Sequence, residues 1–409
     1  MPTITIAQPR LIRPNLSLRR RVASIGIVVP LLASSLLGSA AAAGAVPPKA
    51  KIGLGKILTT QDGGQIFGFD INQNGDDGVL ASGGSDDDGT PAPVETFDQN
   101  TGEITSSVAL TLEDGDSYAV DGIVAGDVGL VTHYVEMPGE TGALRFYDVM
   151  NPVSAQAVSG AWTPPIDDID VQAVGVNQTT STSVLFVIEL QNADKPDLIV
   201  SDIAANTFSK LIHLNPALFG LNKSPHMAQY TSANQAVFAL SPDGGAVGGS
   251  APLNVLIDLA SGATTKFKGY NNGPYGAGYI NGLAVDPNTG IAATTTELNA
   301  QVEFYNLKKK KGIAAVQLPC TGNSSQLQSG SNIAVDPINK LFMVTETNYC
   351  GGSQGSAIVV YDEKGHLVET ITGFHFAIGE PAPVINPGKR MGWAFGGPQG
   401  FNQLQQFFY

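Results

Sequence analysis

Asp70, Asn72, Asn74 and Asp76 alternate along one short stretch that also holds Gly75 and Gly78. Oxygen side chains at positions 1, 3, 5 and 7, with glycine at 6, are how a short loop wraps a hard divalent cation. Ala81 stands where the bidentate carboxylate at position 12 would complete such a loop. The stretch therefore reads first as an Asn/Gly-rich hairpin and second as a weak site for Ca2+ or another divalent cation; no other cofactor is expected. Cys320 and Cys350 are the two cysteines. In an oxidising compartment an even pair reads as one disulfide, and the alternative is two buried thiols. Asp86, Asp87, Asp88, Glu136, Glu140, Asp167, Asp168, Asp170 and Asp194 form an acidic set. Such a set is usually a solvated surface, and otherwise attracts a cationic partner or a metal.

Other signals assign no catalytic residue. The glycines at 351 and 355 around Ser353 match G-x-S-x-G, but no strand–turn–helix elbow surrounds them, so the stretch reads as a flexible loop. His133, His213, His226, His366 and His375 are scattered without metal spacing. His226, beside Met227 and Tyr230, falls in what reads as a long connection over 217–233, and is expected at the surface. The four lysines 308–311 read as the solvated tip of a hairpin.

The elements that must position these residues are strands. The chain has 409 residues with 48 Gly, 25 Pro and only 14% charged residues, while 43% are hydrophobic. That composition supports a large core and an all-β protein with many turns, not a helical bundle. Its first 48 residues carry Arg10, Arg13, Arg19, Arg20 and Arg21 and no acid, then an apolar run over 22–37, then small residues around Ala41 and Ala43. This is the pattern of a signal peptide, expected over 1–45. Arg19 to Arg21 partly match a twin-arginine signal. Export to the periplasm or the extracellular medium follows, with no membrane span after cleavage. The formal charge of −14 becomes about −19 without the leader. Such a charge excludes nucleic-acid binding and repels anionic surfaces.

One pattern recurs: a β-rich run ending in an aromatic or aliphatic residue and then Asp or Asn. It ends at Asp98, Asp148, Asp202, Asp258, Asn306 and Asp362, with steps of 50, 54, 56, 48 and 56, and a seventh run closes at Tyr409. A second pattern, a strand followed by a Pro/Gly turn, runs through Ser241, Asp286, Asp336 and Asn386 in steps of 45, 50 and 50, so that 237–240 reads as an inner strand. A repeat of about 50 residues with four strands is the signature of a β-propeller blade. The seventh repeat lacks an outer strand, and the orphan strand over 51–59 is expected to supply it. The expectation is one domain over 46–409: a seven-bladed β-propeller closed by its N-terminal strand. Cys320 then falls in the connection between blades five and six and Cys350 in a neighbouring loop on the same face, which favours the disulfide.

Asn281-Gly-Leu-Ala-Val-Asp286 and the tandem Asn332-Ile-Ala-Val-Asp336 resemble YVTN-type and gluconolactonase-type β-propellers. The resemblance covers the last four repeats by motif and the rest by pattern only. It implies a divalent metal at the channel mouth held by Asn281, Asn332 and Glu380, polarising a lactone. The order of the segments departs from that family's, which carries its Glu in the first blade. The expected function is a non-catalytic, exported, monomeric scaffold binding a protein, glycan or small ligand on its loop face; the alternative is a metal-dependent hydrolase of lactones.

Overall fold

The structure, a computed structural model, describes residues 52–61, 63–72, 75–82, 93–109, 117–125, 128–135, 143–148, 169–177, 182–189, 192–202, 207–215, 225–232, 234–240, 253–268, 280–296, 301–319, 329–347, 349, 355–375, 382–397 and 400–409. The segment expected as a leader, and Asn74, Cys320, Cys350 and Glu380, lie outside the described residues. Among the described residues no helix is long and apolar enough to cross a membrane.

After β1 (Gly53–Thr59) the strands fall into consecutive antiparallel groups. The first sheet holds β2 (Ile66–Ile71), β3 (Asp77–Ser82), β4 (Pro93–Asp98) and β5 (Ile104–Ala109). The second holds β6 (Ser117–Ala125), β7 (Val128–Val135) and β8 (Ala143–Asp148). The third holds β9 (Ile169–Asn177), β10 (Thr182–Glu189), β11 (Asn192–Asp202) and β12 (Thr207–His213). The fourth holds β13 (Pro225–Ser232), β14 (Gln235–Leu240), β15 (Leu253–Asp258) and β16 (Thr264–Lys268). The fifth holds β17 (Ile280–Asp286), β18 (Ile291–Thr296), β19 (Gln301–Asn306) and β20 (Lys311–Gln317). The sixth holds β21 (Ser329–Asp336), β22 (Leu341–Thr347), β23 (Ser356–Asp362) and β24 (Leu367–Phe374). The last holds β25 (Val384–Asn386), β26 (Met391–Gly397) and β27 (Gly400–Phe408), and β1 adds to its outer edge. β1 pairs with β27 from Gly53 against Phe408 to Thr59 against Gln403.

The sheets pack face to face, which is why central strands are apolar on both sides. β22 is buried at every position. Its Phe342 and Val344 join Phe304 and Val302 of the fifth sheet, while Leu341 and Met343 join Ile385 and Phe407 of the last. Outer strands face water on one side, so β20 alternates between exposed and half-buried positions. Inner strands β25, β2 and β6 neighbour one another in that order, as do β9, β13, β17, β21 and β25. The last sheet thus meets the first.

Turns form where short carboxylates meet a left-handed residue. Asp98 Oδ1 accepts the Asn100 and Thr101 amides at 2.7 and 3.0 Å, and Gly102 follows at φ +73°. Asp336 Oδ1 accepts the Ile338 and Asn339 amides at 2.9 and 2.8 Å. These caps satisfy turn amides that no ladder partner reaches.

One assignment changes. Val237 to Leu240 lie in β14, the second strand of the fourth sheet, and the inner strand is β13, within the stretch expected to be a connection. β13 reads PHMAQYTS, with few β-branched residues, and the Ser241-Pro-Asp-Gly turn signal that follows β14 imitates those that follow true inner strands. The step of 45 where its successors are 50 reflects that slip of one strand.

Candidate functional site at the bulged inner strands

Each inner strand from the first to the sixth sheet carries a break in its register. In β2 the break lies between Ile66 and Gly68, leaving Phe67 unmatched. In β6 it leaves Val120, in β9 Gln172, in β13 His226 and in β17 Asn281. In β21 it leaves Ser331 and Asn332, opposite Thr345. In β2, β13, β17 and β21 the break comes within the first residues of the strand, at the end fed by the connection from the preceding sheet. A bulge turns one side chain out of the pleat and bends the strand, and recurs where a strand must aim a residue at a ligand or a rim. His226, expected at the surface of a connection, thus occupies the same register place as Asn281.

The fifth and sixth inner strands are held close together there. A Cβ on Gly282 would stand 2.7 Å from Thr295 Oγ1 and 3.0 Å from Asn332 Cα. Only glycine admits that approach. The Asn332 amide donates to Thr345 Oγ1 at 2.7 Å, and the same hydroxyl donates to the Asn332 carbonyl at 3.1 Å. Thr345 thereby replaces the ladder bonds that the bulge removes. Asn332 is buried, and its Oδ1 accepts the Ile333 amide at 3.3 Å.

Beside Thr345 lies a carboxyl group that the sequence reading passed over. Glu346 is fully buried, and neither oxygen has a hydrogen-bond partner among the described residues. Burial pushes its pKa up to about 8, so it is a neutral acid at pH 7. The Tyr361 hydroxyl is likewise unpartnered among the described residues; burial first, then the Glu346 and Tyr349 groups, raise its pKa. The signal was available: even positions of Leu341-Phe-Met-Val-Thr-Glu346 share one apolar face, and a carboxylate ends that face. A neutral acid costs less to bury than a carboxylate and does not act as a fixed anion.

The channel-mouth set is only partly visible. Asn281 and Asn332 lie on adjacent inner strands, and Glu380 falls outside the described residues. Among the described residues no group of three or more His, Cys, Asp or Glu could hold a metal.

The alternating stretch at 70–78 forms the β2–β3 hairpin. Asp70 Oδ1 accepts the Ile71 amide at 2.8 Å, and the Asn72 carbonyl accepts Gln99 Nε2 at 2.7 Å. Asp76 is bonded by the Lys389 ammonium of the last sheet and by Asn100 Nδ2 of the first sheet's own β4–β5 turn. The Lys389 and Asn100 hydrogen bonds hold its carboxyl below the usual range. Lys389 also donates to the Gly75 carbonyl at 3.3 Å, so an ammonium stands among these oxygens.

No family profile and no curated protein matches the chain. Solved structures do. U3-55K superposes with a TM-score of 0.61 at 11% identity, over 87% of this chain and 98% of its own. The WD40 repeats of RRP9 give 0.62 at 11% identity, over 88% and 99%. A chain of the mitotic checkpoint complex gives 0.58 at 14% identity, over 93% and 98%. At such identities the likeness speaks for architecture alone. The chain has the β-propeller fold.

Proposed function

We propose that this chain is an exported, non-catalytic β-propeller scaffold that binds a protein, glycan or small ligand at the loop end of its inner strands. The observation that carries the reading is the recurrence of one register break in six successive inner strands. Bulges are enriched at rims and beside binding sites, where they re-aim a side chain. In this reading the ring has seven blades, β1 completes the last, Cys320 and Cys350 are bridged, and the acidic loops of the early blades favour a cationic partner. The structural neighbours support the scaffold reading, since one of them was solved within a multiprotein complex.

The test is an array of immobilised glycans and basic peptides probed with the purified chain. A hit should weaken about tenfold in Asn281→Ala, the loss of one or two good polar contacts. The purified chain should show no lactone hydrolysis that a chelator abolishes. Chelator-sensitive hydrolysis lost in Asn281→Ala, with a bound divalent ion, would replace the scaffold by the YVTN/gluconolactonase-like reading.

A further inference from the structure

Basic residues gather in the turns of three adjacent sheets. The turns β17–β18, β19–β20, β21–β22, β23–β24 and β25–β26 all lie at one end of three adjacent sheets. Their segments hold the four lysines 308–311, Lys340, Lys364, Lys389 and Arg390 against four acids, in a chain of formal charge −14. The turns 98–102 and 258–262 of earlier sheets hold no cation.

Two of these four acids face inward, and Asp362 and Glu363 are partly exposed. Asp286 and Asp336 are fully buried, and their Oδ1 atoms accept turn amides. The cations face water at all eight positions. The eight cations outnumber these four acids, of which Glu363 interacts with Lys340, and Asp76 pairs Lys389.

Backbone strain marks the same residues. Lys310, Lys340 and Arg390 have φ of 52°, 57° and 51°, and they are the non-glycine residues with positive φ among the described ones. The equivalent places in sister turns are held by Gly102, Gly262, Gly290 and Gly365. Glycine relieves this strain, so three basic side chains persist where stability favours none. Aliphatic groups stand among them: Ile338 is 64% exposed at a turn tip, and Leu367 and Val368 are 53% and 51% exposed at the start of β24.

We propose that this turn face is a docking surface for an anionic phospholipid bilayer, with the basic side chains at headgroup phosphates and Ile338 entering the headgroup layer. A soluble polyanion rewards the cations alone. A bilayer interface rewards cations and exposed aliphatics together. The surface reverses locally the repulsion that the overall charge predicts.

The test compares vesicles of phosphatidylcholine with vesicles that also contain phosphatidylglycerol, at low and high salt. Amine-reactive labelling read by mass spectrometry locates the contact independently of residues 1–50. Anionic vesicles should protect the lysines at 308–311 and Lys340 but not Lys56 or Lys266, and salt should reverse the protection. The double variant Lys310→Gly/Lys340→Gly should keep or raise the melting temperature and weaken vesicle binding about fivefold per cation removed. Ile338→Ser should weaken it without changing the salt dependence. Equal labelling with and without anionic vesicles overturns the proposal. So does protection by soluble polyglutamate but not by vesicles, which would assign the face to an acidic protein.

Discussion

The Trp393 indole on β26 meets the Phe97 ring on β4 edge to face, with centroids 5.5 Å apart and planes at 76°. Its Nε1–H donates to the Gln99 carbonyl at 3.0 Å, and Gln406 Nε2 donates to the same carbonyl at 2.9 Å. The last sheet is thus locked to the first by a fully buried indole and a shared acceptor. Trp393→Ala should cost about 3–5 kcal/mol, because it opens a cavity and removes one of that acceptor's two donors. Urea unfolding checks it: the midpoint should fall well below that of Trp393→Phe, which keeps most of the packing. Equal midpoints would show that the seam bears little of the stability.

The Gln99 side chain joins the same seam by other atoms. Its Nε2 donates to the Asn72 and Gly75 carbonyls, each at 2.7 Å, and its Oε1 accepts Asn386 Nδ2 at 3.2 Å. Gln99→Leu keeps the volume and removes all three bonds. At a net loss of roughly 0.5–1.5 kcal/mol per bond, the expected cost is about 3 kcal/mol. Calorimetry should show a lower melting temperature, and an unchanged one would count against the network.

Glu346 makes stability depend on pH. An acid whose folded pKa lies above its unfolded value binds more protons folded than unfolded between the two. Its contribution is therefore present below pH 4.5, falls as pH rises through that interval, and levels off above about pH 8. The steepest slope is on the order of 1.4 kcal/mol per pH unit. Glu346→Gln removes this titration. Urea midpoints across the interval should fall more steeply for the native chain than for the variant. Parallel curves would mean that the carboxyl is already ionised in the fold.

Gly282 sets the spacing of the fifth and sixth inner strands. In Gly282→Ala the new methyl meets Thr295 Oγ1 and the Asn332 backbone. Overpacking of this kind costs about 1–3 kcal/mol. The melting temperature should drop, and the paired variant Gly282→Ala/Thr295→Ser should not recover it, since Ser retains the hydroxyl. Recovery would show that the methyl of Thr295, and not the backbone approach, limits the space.

Third strands were legible because Asp98, Asp258, Asn306 and Asp362 close them with a cap that must be polar and short, and the cap repeats with the sheet. The pairing of β1 with β27 was legible from a β-run before the first repeat and a last repeat short of one strand. β13 was not, since pairing with β14 makes it a strand despite its residues. The bulges were invisible too: register is a relation between two strands, and neither sequence alone carries it. Asn281 and Asn332 stood out by motif, whereas Gln172 and His226 share their place without any motif. Lys310, Lys340 and Arg390 were hidden because the turn signal expects glycine at those positions. Glu380, the leader over 1–45 and the pair Cys320 and Cys350 lie outside the described residues.

The loop-to-face assignments all depend on β1 pairing with β27. Thr59 and Gln403 are register partners, and Gln403 Nε2 donates to Thr59 Oγ1 at 3.0 Å. Antiparallel partners stand about 4.5–5.5 Å apart at Cα, within reach of a disulfide. The double variant Thr59→Cys/Gln403→Cys should cross-link on mild oxidation, and non-reducing peptide mapping should recover the two ends of the chain joined through those cysteines. Recovery of both thiols free to alkylate in the folded, oxidised protein would contradict the pairing, and with it the division into a ligand-binding end and a basic end.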